Sequence, residues 1–342
     1  MGESLEDPVP ALRSLADWAE AVAALPAAGP LPLRTALVPS ERHAHALRAA
    51  LVASGRARAL GGTRLVGPAT LAREVLAEAG QVFTPGEEAL RPARLRALFD
   101  EKGLRLEHFP GDLLREAPGW PEAFAAAIAD LEAAGLEPDR LPSTTPHWRD
   151  LALLWRRLDA AAGRSLTAAR TSLEAAALLE AGARPATGPV LAAVTGRETL
   201  AQARFLRALP GVALAAVAAR PQRARHLERI EALFGPAARR ALAAPAPPPA
   251  AASERDLLAA FLFAPPESLG DPARPRSRGP DGTVSIEEHA GVESEVEAAA
   301  AWVAREVLER RTPPERVAVL VPAADPLLAM LASRLARLPW PG

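Results

Sequence analysis

The sequence predicts an α/β protein: a parallel sheet with a large all-helical insertion, followed by the start of a second α/β unit. Three observations carry that expectation. Strand-like apolar runs alternate with amphipathic helices before residue 80 and again from residue 188, as in a sheet covered by helices. Between them, residues 85–182 keep helical spacing throughout. From Thr283 the alternation begins afresh, after a stretch rich in proline and arginine.

Leu12, Leu15, Ala19 and Val22 form one stripe of a first helix beginning near Pro10. Leu33–Val38 reads as a short buried strand stopped by Pro39, and Ser40 as the N-cap of a helix over Glu41–Ala53 with Ala44, Leu47 and Leu51 inward. Gly61-Gly62 breaks the chain, Arg64–Val66 is a brief strand, and Pro68–Ala79 is the next helix. Helices are expected over Glu87–Glu101, Pro121–Ala134, His147–Ala162 and Thr167–Ala181. Trp120, Phe124, Ile128 and Leu131, like Leu151, Leu154, Trp155 and Leu158, recur at core spacing. Gly188–Val194 is a continuous apolar run, suited to a strand covered on both faces. A helix over Glu198–Leu209 and a strand over Val212–Ala218 complete a β-α-β unit.

The run Ala244–Pro249 contains prolines that cannot donate to a sheet, so the first domain is expected to close by about Ala243. A short helix at Asp256–Phe263 should pack Leu257, Leu258, Phe261 and Leu262. Residues 244–282 thus form a linker, and proteolysis is expected to cut first within Ala244–Ser253 or Pro265–Gly282. Thr283–His289 alternates like a strand and Glu293–Arg311 is a long helix with Val292, Val296, Val303 and Val307 inward. Val317–Val321 reads as a buried strand and Pro326–Leu338 as a helix. Two strands and two helices close a core poorly, so residues 283–342 are expected to be an incomplete domain.

The chain has 342 residues, 49% of them hydrophobic, enough for two domains or one domain and a piece. A formal charge of −1 gives no global field toward nucleic acid or an anionic membrane. With no cysteine, disulfides, thiolate nucleophiles and cysteine-ligated zinc are excluded. Met1–Pro10 lacks the apolar core of a signal peptide and no apolar run reaches spanning length, so a cytoplasmic protein is expected.

The order of elements resembles the N-terminal helicase-like half of AddB/RexB-type subunits, relatives of the RecB and UvrD helicases. Leu37–Leu47 (Leu-Val-Pro-Ser-Glu-Arg-His-Ala-His-Ala-Leu), Gly67–Leu76, Gly291–Val303 and Pro314–Pro322 carry the resemblance. It implies a P-loop-helicase-like sheet in a bacterial double-strand-break-processing helicase–nuclease, with DNA and a helicase-type subunit as partners. It also implies a PD-(D/E)XK nuclease at the far end, beyond Gly342.

Three ATPase parts of that pattern are missing. A phosphate-binding lysine is expected in G-x-x-x-x-G-K-[ST]. Lys102, the single lysine among 40 basic residues, sits instead in Phe-Asp-Glu-Lys-Gly, and Met1–Pro10, in the place of the glycine-rich loop, has only Gly2. After the Gly188–Val194 strand the chain offers Thr195-Gly196-Arg197-Glu198 where an aspartate would hold Mg²⁺. An arginine often found on the second-domain strand is replaced by Pro322. The resemblance therefore implies a degenerate motor with no catalytic, cofactor-binding or metal-ligating residues. Asp100-Glu101-Lys102 fits the nuclease string only in letters, since no Pro-Asp precedes it.

Ser40, Arg42 and His43 stand at a helix N-terminus directly after a strand, where free N–H groups favour phosphate. Related helicases touch single-stranded DNA in this neighbourhood. Thr70 and Arg73, near the next helix start, are candidates of the same kind. The alternative is that Ser40 is an N-cap and its neighbours a solvated first turn. His43 and His45 point to different helix faces and make a poor metal pair. Arginine clusters at Arg91/Arg94/Arg96, Arg220/Arg223/Arg225/Arg229 and Arg274/Arg276/Arg278 are phosphate contacts or ordinary charged faces. A silent scaffold that binds or guides DNA is the leading expectation. A protein-interaction module without DNA function is the alternative, and an active ATPase a third reading.

Overall fold

A computed structural model describes residues 9–26, 33–86, 88–101, 103–217, 224–243, 253–261, 279–321, 326–338 and 340. The chain is α/β and divides into two compact units, Met1–Ala252 with Asp256–Arg276, and Ser253–Arg255 with Ser277–Gly342. Lys102, the run Pro245–Pro249, Pro322, and Arg220, Arg223, Arg274, Arg276 and Arg278 lie outside the described residues.

In the first unit the strands are β1 (Ala11–Leu12), β2 (Arg34–Leu37), β3 (Thr63–Val66), β4 (Thr84–Pro85), β5 (Ser165–Leu166), β6 (Val190–Val194) and β7 (Val212–Val217). Its helices are α1 (Leu15–Ala23), α2 (Glu41–Ala53), α3 (Pro68–Glu78), α4 (Arg91–Phe99), α5 (Gly111–Glu116), α6 (Trp120–Ala133), α7 (Pro146–Ala162), α8 (Ala168–Glu180), α9 (Leu200–Ala208), α10 (Ala224–Phe234) and α11 (Pro236–Ala243). Five strands form an all-parallel sheet in the order β1-β7-β6-β2-β3.

The burial of β6 explains its unbroken apolar sequence. Val190, Ala192 and Val194 face one core with α3, α8, α9, α10 and α11; Leu191 and Ala193 face the other with α1 and α2. Successive strand side chains alternate between faces, so a strand clothed by helices on both sides needs apolar residues at every position. The start of β6 also requires glycine. Gly188 has φ +63, and a Cβ there would stand 1.9 Å from the Leu33 carbonyl oxygen. Beside it, buried Thr35 donates its hydroxyl to the Thr187 carbonyl at 2.7 Å.

The stretch expected to be purely helical is interrupted by β4 and β5, which pair in parallel where the insertion leaves and rejoins the sheet. Gly86 N donates to Leu166 O at 2.6 Å, and a Cβ on Gly86 would lie 2.7 Å from that oxygen. Helices α4–α7 enclose a separate core of Leu95, Phe99, Phe124, Ile128, Leu154 and Trp155. Helix α8 instead returns to the sheet, burying Ala175, Ala176 and Leu179.

The joint between block and sheet is polar. Arg91 on α4 donates through Nη2 to both Glu132 carboxylate oxygens at 2.7 Å, and Thr167, the α8 N-cap, donates its hydroxyl to the same carboxylate at 3.0 Å. Arg170 on α8 pairs with Asp159 on α7 at 2.9 Å. Burial, reinforced by nearby Glu132, pushes the Asp159 carboxyl above its ordinary range despite the attraction of Arg170. Arg91 is thus a buried joint residue and no longer one of an exposed phosphate-binding cluster.

A further helix, α12 (Glu254–Phe261), begins in the second unit and ends in the first. Leu257 is buried, whereas Leu258, also expected to pack, is 47% exposed. Leu262 and the Phe261 side chain lie outside the described residues.

The second unit contains α13 (Val292–Ala304), continued by a wider turn over Arg305–Glu309, and α14 (Leu327–Leu335). Val296, Val303 and Val307 are buried as expected, while Val292 is exposed. The strands expected at Thr283–His289 and Val317–Val321 are not formed. Alternation selects the face of a strand but supplies no partner. Among the described residues of this unit, no edge is available to start a sheet.

Candidate nucleic-acid interface

The path of the chain creates a crevice. From β2 it moves outward to β3, then returns through the insertion to β6 on the opposite side of β2. Ligands of open α/β sheets collect at such reversals, beyond the carboxyl ends of the strands. A cavity of about 580 Å³ lies there, beyond β2, β6 and β7. Leu37, Ala192, Ala193, Leu206 and Val217 give it apolar walls; His43, Arg197, Glu198, Gln202 and His226 give it polar ones.

Ser40 is the N-cap of α2, with extended backbone (φ −159°, ψ 164°). Its Oγ lies 2.8 Å from His43 Nδ1 and 3.5 Å from the His43 amide, so the imidazole is its closer partner. A Ser–His contact resembles half of a nucleophile–base pair. Here it is a local contact within a helix's first turn, and among the described residues no carboxylate hydrogen-bonds the other ring nitrogen. The His43 ring packs near buried Trp18, with centroids 6.0 Å apart. Arg42 and Arg197 are exposed and have no ion-pair partner among the described residues.

The turn after β6 forms the opposite wall. Glu198 accepts from Thr195 N at 2.7 Å, Thr195 Oγ1 at 3.0 Å and Gly196 N at 2.8 Å. From α10, His226 Nε2 meets Thr195 O at 3.0 Å, and Arg229 donates to Glu198 O at 2.9 Å. Gly196, at φ +80, passes so close to the imidazole that a Cβ would lie 2.2 Å from Nε2. The carboxylate nearest the expected metal position is therefore engaged with its own turn.

At the sheet edge, Arg13-Ser14 alone links β1 to α1. Ser14 Oγ accepts from Asp17 N at 3.1 Å, while Asp17 Oδ2 accepts from Arg13 N at 2.9 Å and Ser14 N at 3.0 Å. This capping box fills the anion-attracting helix start with the chain's own carboxylate.

The five expected site residues do not all converge. His43 lines the crevice together with Pro68, the first residue of α3. Ser40 and Arg42 adjoin it through the first turn of α2. Thr70 and Arg73 lie apart from it: Arg73 folds back to Ala69 O and Thr70 Oγ1, both at 3.3 Å, and lines a separate 240 Å³ cavity with Glu88. Arg197 was visible in the sequence only as part of a departure from a motif. Gln202 and His226 carried no sequence signal, because they reach the crevice from helices after β6 and β7.

Among the described residues no three His, Cys, Asp or Glu side chains gather as a metal site, and no helix is long and apolar enough to cross a membrane. No protein-family model matches the chain, and no curated protein sequence matches it.

Proposed function

We propose that the first unit is a catalytically silent, helicase-like scaffold that binds or guides DNA in a bacterial break-processing helicase–nuclease, beside a helicase-type partner subunit. The observation that carries this reading is the Asp17 capping box. In the helicase pattern a phosphate-cradling loop precedes the first helix. That helix was expected to begin near Pro10, with Met1–Pro10 in the loop's place, but α1 starts at Leu15 after β1, so Arg13-Ser14 makes the connection and Asp17 occupies their amides. A phosphate brought to the same point meets a fixed negative charge. The engagement of Glu198 with the Thr195–Gly196 turn supports the same conclusion at the metal position.

Support for the DNA role comes from the crevice, where Arg42, His43 and Arg197 border walls that are partly apolar. Cations attract the backbone, while apolar walls accept an unstacked base. Fluorescent single-stranded DNA titrated at low and moderate salt tests this role. Binding should weaken with salt, and Arg42→Ala and Arg197→Ala should each reduce the salt slope by about one phosphate contact. Absence of binding at low salt by the folded protein defeats the DNA role.

A further inference from the structure

The helical block brings together two histidines that the sequence keeps apart. His147 is in the first turn of α7, and His108 lies in the loop before α5. Their rings stand with centroids 5.8 Å apart at an interplanar angle of 64°, and both residues are exposed. Asp150, one turn after His147 on the same helix, holds the loop in place. Its buried carboxylate accepts from Glu107 N at 2.8 Å, His108 N at 2.7 Å and Phe109 N at 3.2 Å. His108 is thereby registered on the helix that carries His147. Thr145 Oγ1 lies 3.4 Å from His147 Nε2, which leaves Nδ1 for a ligand. The His108 ring meets Phe109 edge-on at 4.8 Å, and among the described residues neither of its nitrogens has a hydrogen-bond partner.

We propose that His108 and His147 form a two-histidine site for a divalent cation of the Zn(II), Ni(II) or Cu(II) class, which fastens the loop before α5 to α7. Imidazole nitrogen suits these ions, whereas Mg(II) and Ca(II) require oxygen ligands. A Zn–N bond of about 2.1 Å puts the ion roughly 3.2 Å from each ring centroid, so a tetrahedral angle needs centroids about 5.2 Å apart. The observed spacing is within about 0.6 Å of that, a gap two exposed rings close by turning roughly ten degrees each. Neighbouring charges do not oppose a cation. Arg149 is offset by Glu107, to which it donates through Nε at 3.1 Å and Nη2 at 2.6 Å, and Asp150 adds a carboxylate behind the loop. The contact of His147 Nε2 with Thr145 is of the kind that orients a ligating imidazole. Water completes the coordination. The pair adjacent in sequence, His43 and His45, points to different helix faces and offers no such site.

The test is calorimetric titration of the untagged full chain with zinc chloride in a non-coordinating buffer near neutral pH. One ion per chain should bind, magnesium chloride should give no binding, and amides at 107–114 should gain hydrogen-exchange protection with zinc. His108→Ala and His147→Ala, both at exposed side chains, should each weaken binding at least about tenfold with unchanged circular dichroism. His45→Ala, equally exposed, should leave binding as it is. His108→Cys, which keeps a ligand at that position, should bind at least as tightly as wild type. Binding should also weaken as pH falls toward about 5.5, because an imidazole must be neutral to ligate. Absence of binding at about 1 mM zinc overturns the proposal. So does binding that survives His147→Ala, or binding that leaves the protection of 107–114 unchanged.

Discussion

Replacing Glu198 with alanine should unlock the turn that forms one wall of the crevice. The carboxylate accepts two backbone N–H groups and one hydroxyl. Gly196 is buried and Thr195 half-buried, so water replaces the lost acceptor incompletely. An unpaired buried donor costs about 1–3 kcal/mol, and the two amides together therefore set an expected loss of about 2–6 kcal/mol. The Thr195 hydroxyl can rotate toward solvent and adds little. Glu198→Gln keeps an oxygen for one amide but turns an NH₂ toward the other, so about half the loss is expected. Arg197→Ala, an exposed neighbour, is the control and should fall within about 0.5 kcal/mol of wild type. Equilibrium urea unfolding followed by far-UV circular dichroism measures all three. If Glu198→Ala matches the control, the carboxylate is not holding the turn and stays available to a metal ion.

Gly196→Ala should destabilise by about 3 kcal/mol or more, because positive φ is compounded by collision with His226. Gly235→Ala, at φ +87 with open space around it, should cost only about 1 kcal/mol, and equal losses in thermal melts would contradict this. Glu132→Ala leaves Arg91 buried without its partner, its Nη1 already lacking one, at an expected cost of about 3–5 kcal/mol. Combining Arg91→Met with Glu132→Leu should recover most of that loss; a double variant worse than Glu132→Ala refutes the joint as described. Because burial raises the folded pKa of Asp159 above its ordinary 3.8, the folded state binds that proton more tightly than the unfolded state. Stability should therefore fall as pH rises from the ordinary value through the folded one, and Asp159→Asn should remove that slope. A wild-type-minus-variant difference that grows with pH would refute the assignment.

The elements legible in the sequence were those whose own pattern records their burial. The uninterrupted apolar run of β6, with Val190–Val194 buried on both faces, announced a central strand. Ser40 after Pro39 announced the start of α2, and Ala44, Leu47 and Leu51 turned inward as their spacing required. Elements defined by distant partners were hidden. β1 is two residues long and exists through pairing with Ala216 and Val217, while the pairing of β4 with β5 spans the whole helical block. Helix α5 was also missed because six residues give too short a pattern, whereas α10, with the crevice-lining His226, was missed although Leu227, Ile230, Leu233 and Phe234 recur at helical spacing. The alternation in Thr283–His289 and Val317–Val321 pointed to strands that did not form, because a pattern cannot provide the neighbouring edge. At the site, strand-to-helix junctions located His43, Ser40 and Arg42. The separation of Thr70 and Arg73 from the crevice depended on how Arg73 folds back along α3.

The proposed scaffold is expected to bind DNA and to leave nucleotide unbound. Thermal unfolding of the full chain with Mg-ATP, and separately with single-stranded DNA at low salt, tests it most directly. A ligand raises the melting temperature only if it binds the folded state in preference to the unfolded one. Mg-ATP should leave the melting temperature unchanged, because Asp17 occupies the amides at the α1 start. Single-stranded DNA should raise it, with the shift lost as salt increases. A clear upward shift with Mg-ATP, or no shift with DNA at low salt, would contradict the account.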